Sequence, residues 1–248
     1  MQDHYLYFPS FEKPSARMLQ SRNLLLWQAE EGDYRGIISS LDQPAPNGTL
    51  VLFHGNGGTA TDRDFYLKPF MDLGFRVILA EYPRYGGRPG EVGEKPFVAD
   101  GLKTLKQAHE QFGGPLYLVG ESLGCGVAAA MARQTHTPVA GIILITPWDS
   151  LEAVAKSLFP FLPVKPLLTD QYDSIVNLAS FPGKIAVVGA EHDEILPIQH
   201  ARNLYASLPE GKKRLWIIQG AGHNDWPYYA EASLFKEITD FVKLNSGN

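Results

Sequence analysis

The chain has 248 residues, of which 44% are hydrophobic and 20% charged, and its formal net charge is −5. This length and apolar content are ordinary for one folded domain and argue against a disordered chain. The net negative charge argues against a nucleic acid partner, because binding to phosphates requires a basic surface.

The first residues bear on the location of the protein. Residues 1–5 have neither the basic nor the apolar region of a secretion signal. The longest strongly apolar run, residues 139–145, is far shorter than the ~20 residues of a membrane span. The single cysteine, Cys125, leaves no intrachain disulfide, which is typical of a reducing compartment. We therefore expect a cytoplasmic protein without an integral membrane segment; its oligomeric state is not predicted.

Short apolar runs alternate with longer amphipathic stretches. The first two runs, 24–29 and 34–40, flank a polar turn at 30–33 and predict a hairpin. Six further runs follow, at 50–53, 76–80, 116–119, 141–145, 185–188 and 215–218, and most have the continuous apolar pattern of strands buried on both faces. Helices are predicted at 61–73, 96–112, 123–134, 197–208 and 230–243. The pattern predicts one α/β domain over residues 1–248, with a mostly parallel eight-stranded sheet and helices on both faces.

One segment, residues 148–178, does not fit this alternation. It carries three prolines and the large apolar residues Phe159, Phe161 and Leu162. Since prolines end helices and fix turns, we expect a small helical cap inserted between two strands. We expect the cap to cover a ligand site and Trp148 to bind substrate; the alternative is a surface segment that fills only its own core.

The sharpest chemical signal is GESLG at residues 120–124, which matches G-x-S-x-G. It follows a predicted strand and precedes an Ala-rich helix, the context that a nucleophilic serine requires. The two glycines allow a sharp turn that lifts the Ser122 hydroxyl out of the sheet. We therefore predict that Ser122 is a nucleophile; otherwise it only caps a helix.

A serine hydroxyl needs a base near neutral pH. Of the seven histidines, His223 lies in a glycine-rich loop directly after the last predicted strand, where the carboxyl edge of the sheet collects functional groups. The base in turn needs a carboxylate that holds its tautomer. Asp193 follows the preceding strand and completes the order Ser, Asp, His. Glu191, Glu194 and above all Asp149 remain rivals for the acid.

The glycine cluster HGNGG at residues 54–58 follows another buried strand. A tight loop of this kind can direct backbone N–H groups at a developing negative charge, and we expect the amides of Asn56 and Leu123 to form an oxyanion hole. A phosphate-binding loop is the alternative, but the chain has neither Gly-Lys-Ser/Thr after these glycines nor a G-x-G-x-x-G motif.

Six sequence blocks together carry a family resemblance. They are HGNGG at 54–58, EYPRYGG at 81–87, GESLG at 120–124, TPWDSL at 146–151, DEILP at 193–197 and GAGHND at 220–225. From about residue 22 onward the chain resembles small α/β-hydrolases of the bud-emergence-like and lipid-depalmitoylase-like group, near the S33 and prolyl-oligopeptidase-type hydrolases. The resemblance implies an α/β-hydrolase fold, a triad of Ser122, Asp193 and His223, and oxyanion donors at Asn56 and Leu123. Arg84, where the group often has glycine, departs from the pattern and is expected near the mouth of the site.

The residues predict a serine hydrolase that cleaves a small-molecule carboxylic ester through an acyl-enzyme. A peptidase or thioesterase with the same triad is the closest alternative, and a non-catalytic binding protein on this fold is another. No His, Asp or Glu cluster has the spacing of metal ligands, so we expect neither a metal nor another cofactor.

Overall fold

A computed structural model describes residues 2–28, 33–42 and 44–243. The strands are β1 (Phe8–Pro9), β2 (Leu24–Trp27), β3 (Gly36–Ser39), β4 (Thr49–Phe53), β5 (Gly57–Gly58), β6 (Arg76–Ala80), β7 (Leu116–Glu121), β8 (Gly141–Ile145), β9 (Lys184–Ala190) and β10 (Lys213–Ile218). The helices are α1 (Asp3–Leu6), α2 (Ala16–Ser21), α3 (Leu67–Asp72), α4 (Glu94–Phe112), α5 (Leu123–Gln134), α6 (Leu151–Leu158), α7 (Ser174–Leu178), α8 (Gln199–Ser207), α9 (Trp226–Tyr229) and α10 (Ala232–Lys243).

Eight strands form one sheet in the order β10-β9-β8-β7-β4-β6-β3-β2. Among the described strands of this sheet, only the pairs β2–β3 and β3–β6 are antiparallel, so the predicted mostly parallel eight-stranded sheet is confirmed. The turn predicted at 30–33 lies largely outside the described residues. After β4 the chain adds β6 on one side and later β7 on the other. This change of direction opens a crevice at the carboxyl ends of β4 and β7, where ligands bind in such sheets.

The sheet is covered on both faces because its central strands are apolar on both sides. In β4, Val51 and Phe53 belong to the core cluster that includes residues of α4 and α5, whereas Leu50 and Leu52 belong to the cluster that includes residues of α3 and α10. All four side chains are buried. This packing on both faces fixes β4 and β7, and therefore the positions at which the loops after these strands leave the sheet.

Several local elements differ from the sequence prediction. The helix predicted at 61–73 is a 3-10 helix, Ala60–Tyr66, followed by α3. Pro69 explains the break, because its ring prevents the α-helical bond to residue 65. The helix predicted at 230–243 is α10, preceded by the separate short helix α9. The first 21 residues, for which no element was predicted, contain α1, β1 and α2.

The segment 148–178 contains α6, a 3-10 helix at Lys165–Leu167, and α7. It leaves the sheet after β8 and returns at β9. Within the described parts of the chain, no helix combines the length and apolarity needed to cross a lipid bilayer.

Candidate active site

Ser122 stands at a strained turn between β7 and α5. Its backbone has φ 52° and ψ −115°, in a region that a non-glycine residue rarely adopts. A side chain at Gly120 would approach Cys125 Cα to 2.6 Å, and one at Gly124 would overlap the Phe53 carbonyl. The two glycines are therefore required by the close packing of α5 on β7 and β4, as the motif predicts.

The structure brings Ser122, His223 and Asp193 into one hydrogen-bonded chain. His223 Nε2 lies 3.0 Å from Ser122 Oγ, and His223 Nδ1 lies 2.7 Å from Asp193 Oδ2. All three residues are buried. A carboxylate can only accept, so Nδ1 carries a proton and Nε2 faces the serine hydroxyl as an acceptor. This is the arrangement in which an imidazole can take the proton of the serine.

The second oxygen of Asp193 is held by the backbone. Its Oδ1 accepts the N–H groups of Ile195 at 3.0 Å and of Leu196 at 2.6 Å. These bonds fix the carboxylate plane, so that Oδ2 is the atom presented to the imidazole. The spacing of the aspartate before Leu196 and Pro197 thus has a local structural reason.

The rival acids bind other groups. Asp149 Oδ1 lies 2.8 Å from Nδ1 of His200, and Asp149 Oδ2 accepts from Asn203 at 3.1 Å. Glu194 accepts the backbone N–H of His223 at 3.2 Å, and Glu191 accepts that of Gly220. These two glutamates hold the loop that carries the imidazole, but within the described part of the chain neither has a hydrogen bond to its ring.

Asp149 is ionised in a structural role. Burial opposes its charge, but hydrogen bonds from His200, Asn203 and the Ser150 amide outweigh burial and hold the pKa of Asp149 below its usual range. Its carbonyl oxygen also accepts the N–H groups of Ser174 and Ile175. Asp149 therefore ties α7 and α8 to the end of β8.

The two predicted oxyanion donors flank the same crevice. Leu123 is the first residue of α5, so its N–H has no partner within the helix. The N–H of Asn56 has no hydrogen-bond acceptor within the described part of the chain. Asn56, Leu123 and Ser122 all line one cavity. Two backbone donors beside a serine hydroxyl can stabilise an oxyanion formed on an acyl group.

Hydrogen bonds from the segment that follows β6 hold the loop at 54–56. Tyr85 donates its hydroxyl to the Asn56 carbonyl at 2.7 Å, and Tyr82 donates to the His54 carbonyl at 2.7 Å. Glu81 Oε1 lies 2.8 Å from His54 Nε2. Burial raises the pKa of both tyrosines, so their hydroxyls remain proton donors. Together these bonds fix the peptide planes around Asn56.

Sequence reasoning noted the block EYPRYGG at 81–87 but gave it no role. The available signal was a run of polar and aromatic residues directly after a buried strand, at the edge of the sheet where the site lies. The same reasoning expects Arg84 near the site mouth. Arg84 is exposed, does not line the cavity, and lies 5.2 Å from the ring of Phe11.

A large cavity of about 1160 Å³ opens beside Ser122. Most of its walls are apolar and come from the loop at 55–58, from the segment 148–178, and from residues near the N-terminus. Trp148 lines it, is buried, and packs at 6.0 Å on the ring of Tyr172. Phe159 and Leu162 also line it, whereas Phe161 is 97% exposed and lies outside.

One ion pair lies in the wall of this cavity. Arg63 Nε donates to Glu121 Oε1 at 2.8 Å, and Tyr66 donates its hydroxyl to Glu121 Oε2 at 2.8 Å. The Arg63 guanidinium also reaches the Gly57 carbonyl at 3.4 Å. This pair connects the loop after β4 with the residue directly before Ser122, and sequence reasoning did not identify it.

A family model described as serine hydrolase matches residues 90–233. The chain belongs to this serine hydrolase family. The match includes Ser122, Asp193 and His223 but not the loop at 54–58. The predicted resemblance to small serine hydrolases with an α/β-hydrolase fold is thereby confirmed.

Two relatives and one solved structure are among the proteins similar to this serine hydrolase. An uncharacterized Mycobacterium tuberculosis protein, Rv2307c, is 32% identical over 234 residues, covering 90% of this chain and 81% of the relative. Lysophosphatidylserine lipase ABHD12 of Danio rerio is 28% identical over 184 residues, covering 66% of this chain and 48% of the lipase. The Pyrococcus furiosus esterase PF2001 shares the fold, with a TM-score of 0.69 and 16% identity over 98% of each chain.

Proposed function

We propose that this serine hydrolase cleaves carboxylic esters through an acyl-enzyme formed on Ser122. The observation that carries the proposal is the hydrogen-bonded chain from Ser122 through His223 to Asp193 at the wall of a large apolar cavity. A buried serine with a base in hydrogen-bond reach, itself oriented by a carboxylate, is the arrangement of nucleophilic acyl transfer.

In the first half-reaction, Ser122 Oγ attacks the ester carbonyl carbon while His223 Nε2 takes the serine proton. The carbonyl oxygen becomes negative and accepts the N–H groups of Asn56 and Leu123. The bond between the carbonyl carbon and the alcohol oxygen then breaks, and His223 gives its proton to the leaving alcohol. The acyl group remains on Ser122 as an ester.

In the second half-reaction, water attacks the acyl-enzyme by the same route. His223 accepts one proton of the water, the bond to Ser122 Oγ breaks, and the serine recovers its proton. A carboxylic acid leaves. Asp193 keeps the imidazole oriented and stabilises its positive form in both halves without taking up the proton itself.

The apolar cavity supports an acyl chain as the substrate group, because ligand pockets bury most of the ligand surface against apolar walls. We place Trp148 among the residues that contact this chain. The relative ABHD12 is named a lysophosphatidylserine lipase, which is compatible with an acyl ester substrate. The narrower assignment to carboxylic esters, rather than thioesters or amides, is part of the proposal.

The proposal is tested with purified protein and a panel of p-nitrophenyl esters, an acyl thioester and an aminoacyl amide. We expect ester hydrolysis to be fastest, and Ser122→Ala to lower kcat by about 10³-fold or more. Ser207→Ala, which removes an exposed hydroxyl on α8, is the matched control and should retain full activity. A folded Ser122→Ala protein with more than about a tenth of the esterase rate would show that Ser122 is not the nucleophile.

A further inference from the structure

The cavity beside Ser122 has a wall that the proposed mechanism does not use. It is formed by residues 2–8, of which Gln2, Tyr5, Leu6 and Phe8 line the cavity. Leu6 is 8% exposed and Tyr5 is 76% exposed. Leu6 therefore faces the interior, whereas Tyr5 stands where the cavity opens to solvent.

One end of this N-terminal wall is joined to the candidate oxyanion loop. The N–H of Phe8 donates to the Asn56 carbonyl at 3.0 Å. β1 then pairs in parallel with β5, with Phe8 opposite Gly57 and Pro9 opposite Gly58. This end of the wall therefore lies beside Asn56, whose N–H is a candidate donor to the substrate carbonyl oxygen.

The other end is joined to the segment 148–178. Gln2 Oε1 accepts the N–H of Thr169 at 2.7 Å, and Gln2 Nε2 donates to Asp170 Oδ2 at 2.7 Å. Tyr7 donates its hydroxyl to the same oxygen at 2.6 Å. Burial and the neighbouring Asp170 raise the pKa of Tyr7, so its hydroxyl stays protonated. The wall is therefore fixed at both ends across the cavity.

The geometry of acyl transfer leaves the acyl chain one direction. The tetrahedral carbon carries Ser122 Oγ, an oxyanion facing Asn56 and Leu123, and a leaving oxygen facing His223. The fourth substituent is the acyl carbon, and it must extend along the remaining surface of the cavity. The apolar lining of the cavity includes the N-terminal wall and residues of the segment 148–178 such as Leu158 and Phe159.

We infer that Leu6 and Tyr5 are specificity-determining residues, which set the length of acyl chain that the cavity accepts. The inference rests on the proposed function. Leu6 limits the depth of the cavity, and the Tyr5 ring extends its apolar wall to the opening.

The test compares kcat/KM for acetyl and dodecanoyl p-nitrophenyl esters. Each methylene excluded from an apolar site weakens binding about fourfold. If the larger side chain in Leu6→Trp displaces two methylenes of the acyl chain, the ratio of dodecanoyl to acetyl kcat/KM should fall about tenfold or more. Tyr5→Ala should lower the same ratio about threefold or more, since it removes apolar contact only from the longer chain.

Phe11→Ala is the matched control, because Phe11 is exposed in the same stretch of chain but does not line the cavity. The ratio of dodecanoyl to acetyl kcat/KM in Phe11→Ala should equal that of the parent protein. Unchanged ratios in both Leu6→Trp and Tyr5→Ala, with acetyl hydrolysis intact, would overturn the inference and leave the proposed function standing. If Leu6→Trp fails to fold, Tyr5→Ala decides alone, because its side chain is mostly solvent-exposed. A parent protein without any Ser122-dependent ester hydrolysis would overturn the proposed function and the inference together.

Discussion

Asp193→Asn should abolish most activity by forcing His223 into the wrong tautomer. The Ile195 and Leu196 amides donate to Asp193 Oδ1, so the carbonyl oxygen of an asparagine must occupy that position. Its NH₂ group then occupies the place of Oδ2, 2.7 Å from His223 Nδ1. An amide nitrogen there can only donate, so Nδ1 must accept and the imidazole proton moves to Nε2. Nε2 can then no longer take the proton of Ser122.

The expected loss is large. The same substitution in another serine hydrolase triad lowers kcat ~10⁴-fold, which corresponds to about 5.4 kcal/mol of transition-state stabilisation. The backbone bonds to Oδ1 oppose rotation of the amide, because rotation would place NH₂ against two N–H donors. We therefore expect the loss here to approach that size.

The assay is kcat for p-nitrophenyl acetate at 25 °C, with circular dichroism to verify the fold. Asp149→Asn is the matched control, since Asp149 is a buried aspartate bonded to a histidine outside the triad. It should retain kcat within about threefold, because it touches neither the candidate nucleophile nor its base. A greater loss in Asp149→Asn than in Asp193→Asn would refute the reasoning and move the acid to the loop after β8.

Asp149→Asn should also change the dependence of stability on pH. Burial opposes ionisation of Asp149, but hydrogen bonds led by that from His200 hold its pKa below the usual range. The carboxylate therefore contributes stability above about pH 3.9, and this contribution is lost as the pH falls through the lower pKa of Asp149 in the folded state. The difference in Tm between parent and variant should narrow below about pH 4. A constant difference in Tm from about pH 3 to 7 would contradict this. Tyr85→Phe should lower kcat about fivefold to tenfold with little change in KM, because it removes one hydrogen bond that holds the Asn56 peptide; a lower Tm with unchanged kcat would mean a structural role only. Trp148→Ala should lower the free energy of unfolding by about 3–5 kcal/mol, because the ring is buried. At temperatures where it stays folded, its kcat/KM should fall more for octanoyl than for acetyl esters, and equal losses would exclude a role in chain recognition.

The elbow at Ser122 could be predicted from sequence because its requirements are local. A buried strand, two glycines around the serine and a following helix determine the turn, and the close contacts at Gly120 and Gly124 show why no other residue fits. The sheet could be predicted for a similar reason, since strands buried on both faces are apolar at every position.

The position of Asp193 in the chain and the family resemblance favour it over Asp149, but the strand pattern of the sequence does not separate the two. Both follow central strands, and β8 and β9 are neighbours in the sheet. What separates them is which helix or loop packs above each strand end: α8 presents His200 to Asp149, whereas the loop after β10 presents His223 to Asp193. These are contacts between distant parts of the chain, which periodicity does not encode.

The N-terminal wall escaped prediction for the same reason. Its bonds join residues 2–8 to the loop at 56–58 and to residues 169–170. α1 and β1 are too short to produce a periodic pattern, and they are fixed mainly by partners elsewhere in the chain. A similar limit applies to Phe161, a large apolar residue of the predicted cap that lies in solvent.

The most direct test of the central claim is to locate the residue that a fluorophosphonate labels. The probe reacts with a serine activated by a neighbouring base, and mass spectrometry of the digested protein identifies the modified peptide. We predict a single adduct on Ser122, absent from Ser122→Ala and formed much more slowly in His223→Ala. A folded parent protein that takes up no label, or that is labelled equally well after Ser122→Ala, would contradict the assignment of Ser122 as the nucleophile.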